Sequence, residues 1–245
     1  MAFGPDKRFS SRAGQMSRAQ AEAAEIDVGL RQYMLRVYNY MALGVALTGI
    51  VSMLVAMNPD IMVAIVGGPM LWVFFAGIIG MGFLAPRIMM SGSIVAGQAC
   101  FWVYAAMWGA LIAPYFYMYT QESIARVFFI TSAAFAGLSL YGYTTKKDLT
   151  AMGRFLTMAT FGILIAIVVN IFLGSAAIHT LLSIVVVLVF AGLTAYETQA
   201  IKNMYYEADS GDVTSRKAIF GAFVLYGSFV TMFVWLLHLF GVARD

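Results

Sequence analysis

Residues 178–196 read IHTLLSIVVVLVFAGLTAY, a run free of Asp, Glu, Lys and Arg. On a helix rising about 1.5 Å per residue such a run nearly covers the roughly 30 Å of bilayer hydrocarbon, which takes about 20 mainly apolar residues to cross. Six further stretches have the same character: Val37 to Met57, Met62 to Leu84, Ile94 to Ala113, Arg126 to Tyr143, Phe155 to Leu173 and Ile219 to Val242. Composition points the same way. The 245 residues are 62% hydrophobic and only 11% charged, with a mean hydropathy of +0.84, whereas a soluble domain carries about a quarter charged residues. The predicted fold class is therefore all-α, a polytopic membrane protein with seven transmembrane helices.

The connections Asn58-Pro59-Asp60, Ala85-Pro86-Arg87, Pro114 to Glu122, Thr144 to Arg154 and Lys202 to Lys217 are too short to hold another domain. Two regions are expected: a flexible cytoplasmic tail over residues 1–32 and a seven-helix transmembrane domain over 33–245. The tail is rich in Ala, Gln, Ser and Arg, with few large apolar side chains to bury. Within it, Ala19 to Ala24 has high helix propensity and is expected to extend the first membrane helix. With the N-terminus placed in the cytoplasm, that side receives thirteen of the fifteen Lys and Arg, leaving only Arg126 and Arg244 opposite. This bias predicts an inward N-terminus and, after seven crossings, an outward C-terminus; a re-entrant last segment would instead return it inside.

Several functions fall away. The net charge of +3 and pI near 9.0 come from tails and loops, as membrane orientation requires, so nucleic acid is not a partner. The first 32 residues hold no apolar core of a cleavable signal, and Glu22, Glu25 and Asp27 argue against a transit peptide. Cys100 stands alone, which excludes an intramolecular disulfide and leaves it a packing role. Phosphate-binding glycine loops, paired metal-binding histidines and nucleophile elbows are missing from the sequence, so it reads as non-enzymatic and without a cofactor. His179 and His238, near the outer ends of separate segments, read as interfacial polar residues.

Ionisable groups at membrane depth are costly unless paired or hydrated, and they mark pathways. Glu197 lies five residues before Lys202, the first cation after the apolar run, hence roughly 7 Å deeper on a helix. That spacing sets Lys202 about 140° around the helix, a poor intrahelical pair. Glu197 is the leading candidate site. Arg87, after Pro86, either snorkels to headgroups or turns inward to a carboxylate. In the last segment Ser228, Thr231, Trp235 and His238 fall on one stripe, which predicts a helix facing the bundle interior. Gly44 with Thr48, and Ala133 with Gly137, are spaced for close helix approach.

The stretch Ala191-Gly-Leu-Thr-Ala-Tyr-Glu-Thr-Gln-Ala-Ile-Lys202 resembles the hallmark of the Bax inhibitor family: an aromatic, an acidic residue, Thr-Gln, an apolar residue and often Lys. Val37-Tyr-Asn-Tyr-Met-Ala42, Gly142-Tyr-Thr-Thr-Lys-Lys-Asp-Leu149 and Val169-Asn-Ile-Phe172 are similar to further motifs of its bacterial branch. The resemblance covers the chain from about residue 30 onward. It implies a bacterial inner-membrane protein with the last helix central and, as in some members, a pH-sensitive calcium leak controlled by acidic residues on the sixth and seventh helices. Some bacterial relatives modulate an AAA membrane protease, which implies a regulatory alternative with the tail as handle.

Glu197 matches the family's first acidic residue, but Ser228 stands in the place of the second and Thr231 in that of a neighbouring Asn. Two close carboxylates share a proton because both cannot ionise cheaply; a Glu with a Ser cannot. A lone carboxylate offers only a weak contact to calcium, which takes about 6–8 oxygen ligands. The remaining expectation is a single-site switch: ionised Glu197 pairs with Arg87 and closes the cytoplasmic mouth, and protonation releases it.

Overall fold

The computed structural model describes residues 18–244, in nine helices. They are α1 (Arg18–Ala56), α2 (Pro59–Val66), α3 (Met70–Ser91), α4 (Ile94–Ile112), α5 (Tyr115–Met118), α6 (Gln121–Thr144), α7 (Thr150–Leu173), α8 (Ala176–Asn203) and α9 (Gly211–Phe240). All but α2 and α5 are long and apolar enough to cross a membrane, which gives the seven spans. The starts of four follow from hydroxyl caps. Ser93, Thr120, Ser175 and Ser210 accept from the amides of Ala96, Ser123, Ile178 and Val213, satisfying donors a helix leaves open at its N-terminus. Helix α7 stops where Gly174 takes a left-handed φ of 61°.

Three boundaries differ from those expected. The first helix already runs from Arg18, so it includes Ala19 to Ala24 and the stretch up to residue 32 assigned to the tail; residues 1–17 lie outside the described residues. The second span is Met70–Ser91 rather than Met62 to Leu84, because Gly67-Gly68-Pro69 interrupts the apolar run: Pro69 disfavours helical backbone in the residue before it. Pro86 does not end that span. It sits inside α3, where it removes one backbone donor, and the helix continues to Ser91, so Arg87 is helical rather than in a loop.

Helix α9 is central, packing against α1, α3, α4, α6 and α8. Its Ile219, Ala222, Leu225, Tyr226 and Leu237 are fully buried. The hydroxyl of Tyr226 meets that of Thr48 on α1 at 2.6 Å, and Thr48 also donates to the Ala105 carbonyl of α4 at 3.0 Å. A Cβ on Gly44 would press on Phe101 and Tyr226, so Gly44 and Thr48 do mark a close approach. Ala133 and Gly137 do not: both are exposed on α6 and nothing lies within 4 Å of a Cβ built at Gly137. The outward faces are apolar, with Phe155, Met158, Ile165 and Phe172 of α7 exposed, as a bilayer requires.

The loops sort to two ends. At one, Arg216 donates to the Met90 and Gly92 carbonyls at the C-terminal end of α3, Arg36 to Ser215, and Lys217 to the Met204 carbonyl and to Asp209. At the other, the amide of Thr120 donates to the Val242 carbonyl at 3.0 Å and that of Arg244 to the Met118 carbonyl at 2.9 Å. The last helix thus crosses fully, and residues 242–244 sit at the end opposite the basic loops; the re-entrant alternative does not hold.

Candidate functional site at the α6, α8 and α9 junction

Glu197 lies where three helices converge, and small residues make that convergence tight. Gly142 of α6 abuts the backbone of Ala195, where a Cβ would collide with the carbonyl oxygen. Gly153 of α7 lies against the Tyr196 ring, and Gly192 against Leu156. With α8 clasped on both sides, the half-buried Glu197 is turned toward α9. There its Oε2 accepts a hydrogen bond from Ser228 Oγ at 2.6 Å, and Ser228 is 2% exposed. The two positions singled out in the sequence are therefore in direct contact.

The neighbouring motif residues each fasten a different part. Thr198 donates to the Thr194 carbonyl and lies 3.0 Å from Ser139 Oγ on α6, which in turn lies 2.7 Å from the Tyr38 hydroxyl of α1. Gln199 accepts from the Leu149 amide and donates to the Lys147 carbonyl, both at 2.8 Å, so its amide clamps the α6–α7 loop from both faces. Lys202 does not pair with Glu197. It donates to the Tyr143 carbonyl at 2.8 Å and stands 5.0 Å from that residue's ring centre, a favourable partner for a cation at the end of α6. In the same loop Asp148 accepts from Thr150, whose hydrogen bonds hold the carboxyl below its ordinary pKa.

The remaining candidates are placed elsewhere. Arg87 is exposed on α3 and forms no ion pair; among the described residues the one ion pair is Lys217 with Asp209. Thr231, one turn beyond Ser228, is half-buried, and its hydroxyl is not bonded to any described residue. Nothing in the sequence marks Tyr38, Ser139 and Thr198 as a connected set, although Tyr38 and Thr198 lie inside motifs that carry the resemblance. No group of three or more His, Cys, Asp or Glu suited to a metal occurs among the described residues. Around Glu197 one carboxylate and neutral hydroxyls do not make a resident calcium cage.

At the opposite end, the two histidines separated in sequence come together. The rings of His179 on α8 and His238 on α9 are 5.0 Å apart, and Trp235 lies 5.7 Å from the first and 5.4 Å from the second. Tyr115 closes the group at 5.4 Å from His238. The expected stripe on α9 is thus divided between two sites, Ser228 facing Glu197 and Trp235 with His238 facing His179.

A family profile described as "Inhibitor of apoptosis-promoting Bax1" matches residues 30–245. The chain is 40% identical to an uncharacterized protein of Rickettsia prowazekii over 222 residues, 89% of this chain and 93% of the relative. It is 38% identical to the inner membrane protein YbhL of Escherichia coli over 223 residues, 88% of this chain and 94% of that protein. An uncharacterized protein of Caulobacter vibrioides is 39% identical over 90% of this chain and 92% of its own. With the full seven-span region matched and the acidic hallmark seated at the helix junction, the chain belongs to the Bax inhibitor family of multi-pass membrane proteins.

Proposed function

We propose that the protein is a non-enzymatic, pH-modulated cation leak of the bacterial inner membrane, with its N-terminus cytoplasmic and Glu197 as the titrating element of its gate. One observation carries this reading: a half-buried carboxylate, with no cationic partner among the described residues, is tied by a single hydrogen bond to the central helix. Hydrogen bonds to charged groups contribute about 1.5–3 kcal/mol, roughly twice a neutral pair. Protonating Glu197 removes that charge and weakens the link between α8 and α9. Ionised, it is a negative charge at membrane depth that draws a cation. Calcium would be cargo, met transiently by Glu197 with Ser228 and Thr231 as neutral oxygens. The basic loops gathered at the Glu197 end support the cytoplasmic assignment of that end, and the printed name of the Escherichia coli relative supports the inner membrane. Arg87 takes no part in this closed contact.

The test is calcium flux into proteoliposomes holding only the purified protein, measured across pH. Wild type is expected to change its flux with pH, Glu197→Gln to lose that dependence, and Ser228→Ala to leak more at neutral pH while still responding to acid. Identical pH profiles for wild type and Glu197→Gln would overturn the proposal.

A further inference from the structure

Helices α1 and α6 both lean on α9 but hardly on each other, leaving an apolar hollow of about 790 Å³ between them in the half of the protein away from the basic loops. Val45, Gly49 and Ser52 of α1 form one wall, Phe128 of α6 the other, and Phe229 and Phe233 of α9 the floor. Along α1 it extends from Val45 to Met57, about 18 Å at 1.5 Å per residue. One leaflet of hydrocarbon is about 15 Å deep. The hollow therefore has the depth of a single acyl chain, and its volume lies within the roughly 300–1,000 Å³ usual for small-ligand sites.

The mouth has a different character. Arg126 and Arg244, the two basic residues the sequence left outside the basic end, both line a second hollow of about 640 Å³, which shares Gln121 and Arg244 with the first. Glu122 lines it too, so one positive charge remains uncompensated among these three groups. Ser52, on the apolar wall, has a buried hydroxyl with no hydrogen-bond partner, roughly 6 Å below Ala56 at the rim. That is the depth at which a glycerolipid's ester carbonyls lie below its phosphate.

We propose that this cleft holds an anionic phospholipid drawn from the adjoining leaflet, its phosphate between Arg126 and Arg244 and one acyl chain between α1 and α6. The site is separate from Glu197 and does not depend on the leak. The protein, equilibrated in micelles with equal phosphatidylglycerol and phosphatidylcholine, is repurified and its retained lipid counted by mass spectrometry. Wild type is expected to hold phosphatidylglycerol about fivefold over phosphatidylcholine, as one net basic group at the surface would give. Arg126→Gln with Arg244→Gln should lose the preference while still retaining lipid. Gly49→Leu, at a site where an added Cβ meets nothing within 4 Å, should cut retention of both lipids with the melting temperature unchanged. Equal retention of the two lipids by wild type, an undiminished preference in the double variant, or full retention in Gly49→Leu would each overturn the proposal.

Discussion

Gly142 and Gly137 are one helical turn and a residue apart on α6, yet their surroundings are opposite. A methyl at Gly142 would enter the Ala195 carbonyl, and because backbone is what it meets, α6 and α8 must separate to admit it. Overpacking of this kind costs about 1–3 kcal/mol, more than the roughly 1 kcal/mol that alanine returns in helix propensity. Gly142→Ala is thus expected to lower the melting temperature in detergent, and Gly137→Ala, on an open face, to leave it unchanged or raise it; equal behaviour of the two would contradict the close approach described. In sequence the small-residue spacing with Ala133 favours Gly137, the wrong glycine, since both sit in an apolar run and what separates them is which face meets α8. The same holds at the site. Glu197 was legible because a carboxylate inside an apolar run has few explanations, and Ser228 because it occupies a motif position. That Arg87 stays exposed and unpaired among the described residues was not, because Pro86 reads as a chain break and gives no rotation of the helix that carries Arg87. His179 and His238 met only through the register of α8 against α9, which neither segment encodes alone.

Among the elements, α8 joins α6, α7 and α9, and the hallmark following its apolar run acts as a set of fasteners. Gln199 is the clearest: its carbonyl and amide hold the loop between α6 and α7 on both sides, replacing water for two backbone groups that the loop cannot pair itself. Replacing it with leucine removes both bonds, each worth about 0.5–1.5 kcal/mol, and frees the segment carrying Lys146 and Lys147. Gln199→Leu is expected to be cut there by trypsin several times faster than wild type, with the spans intact; unchanged cleavage would show the loop held by something else. The motif therefore combines the Glu197 contact to α9 with a joint. Seven spans were readable because lipid forces long uninterrupted apolar runs, whereas the split of the second run at Gly67-Gly68-Pro69 and the passage through Pro86 depend on the competition between proline's missing donor and its neighbours' support.

For the molecule as a whole, two polar clusters lie at different levels of one central helix, one near its middle and one near its C-terminus. Ser228, bonded to Glu197, and His238, beside His179, stand ten residues apart on α9, about 15 Å along its axis. The arrangement around the histidines also makes the protein its own optical instrument. The Trp235 indole is flanked by two imidazoles, at 5.7 and 5.4 Å. In a version with the other three tryptophans changed to phenylalanine, its emission spectrum should shift when His179 and His238 become leucine, because both rings that pack on it are replaced. The native side chains would then report, by emitted light and without an added dye, how α8 and α9 pack at the face away from Glu197.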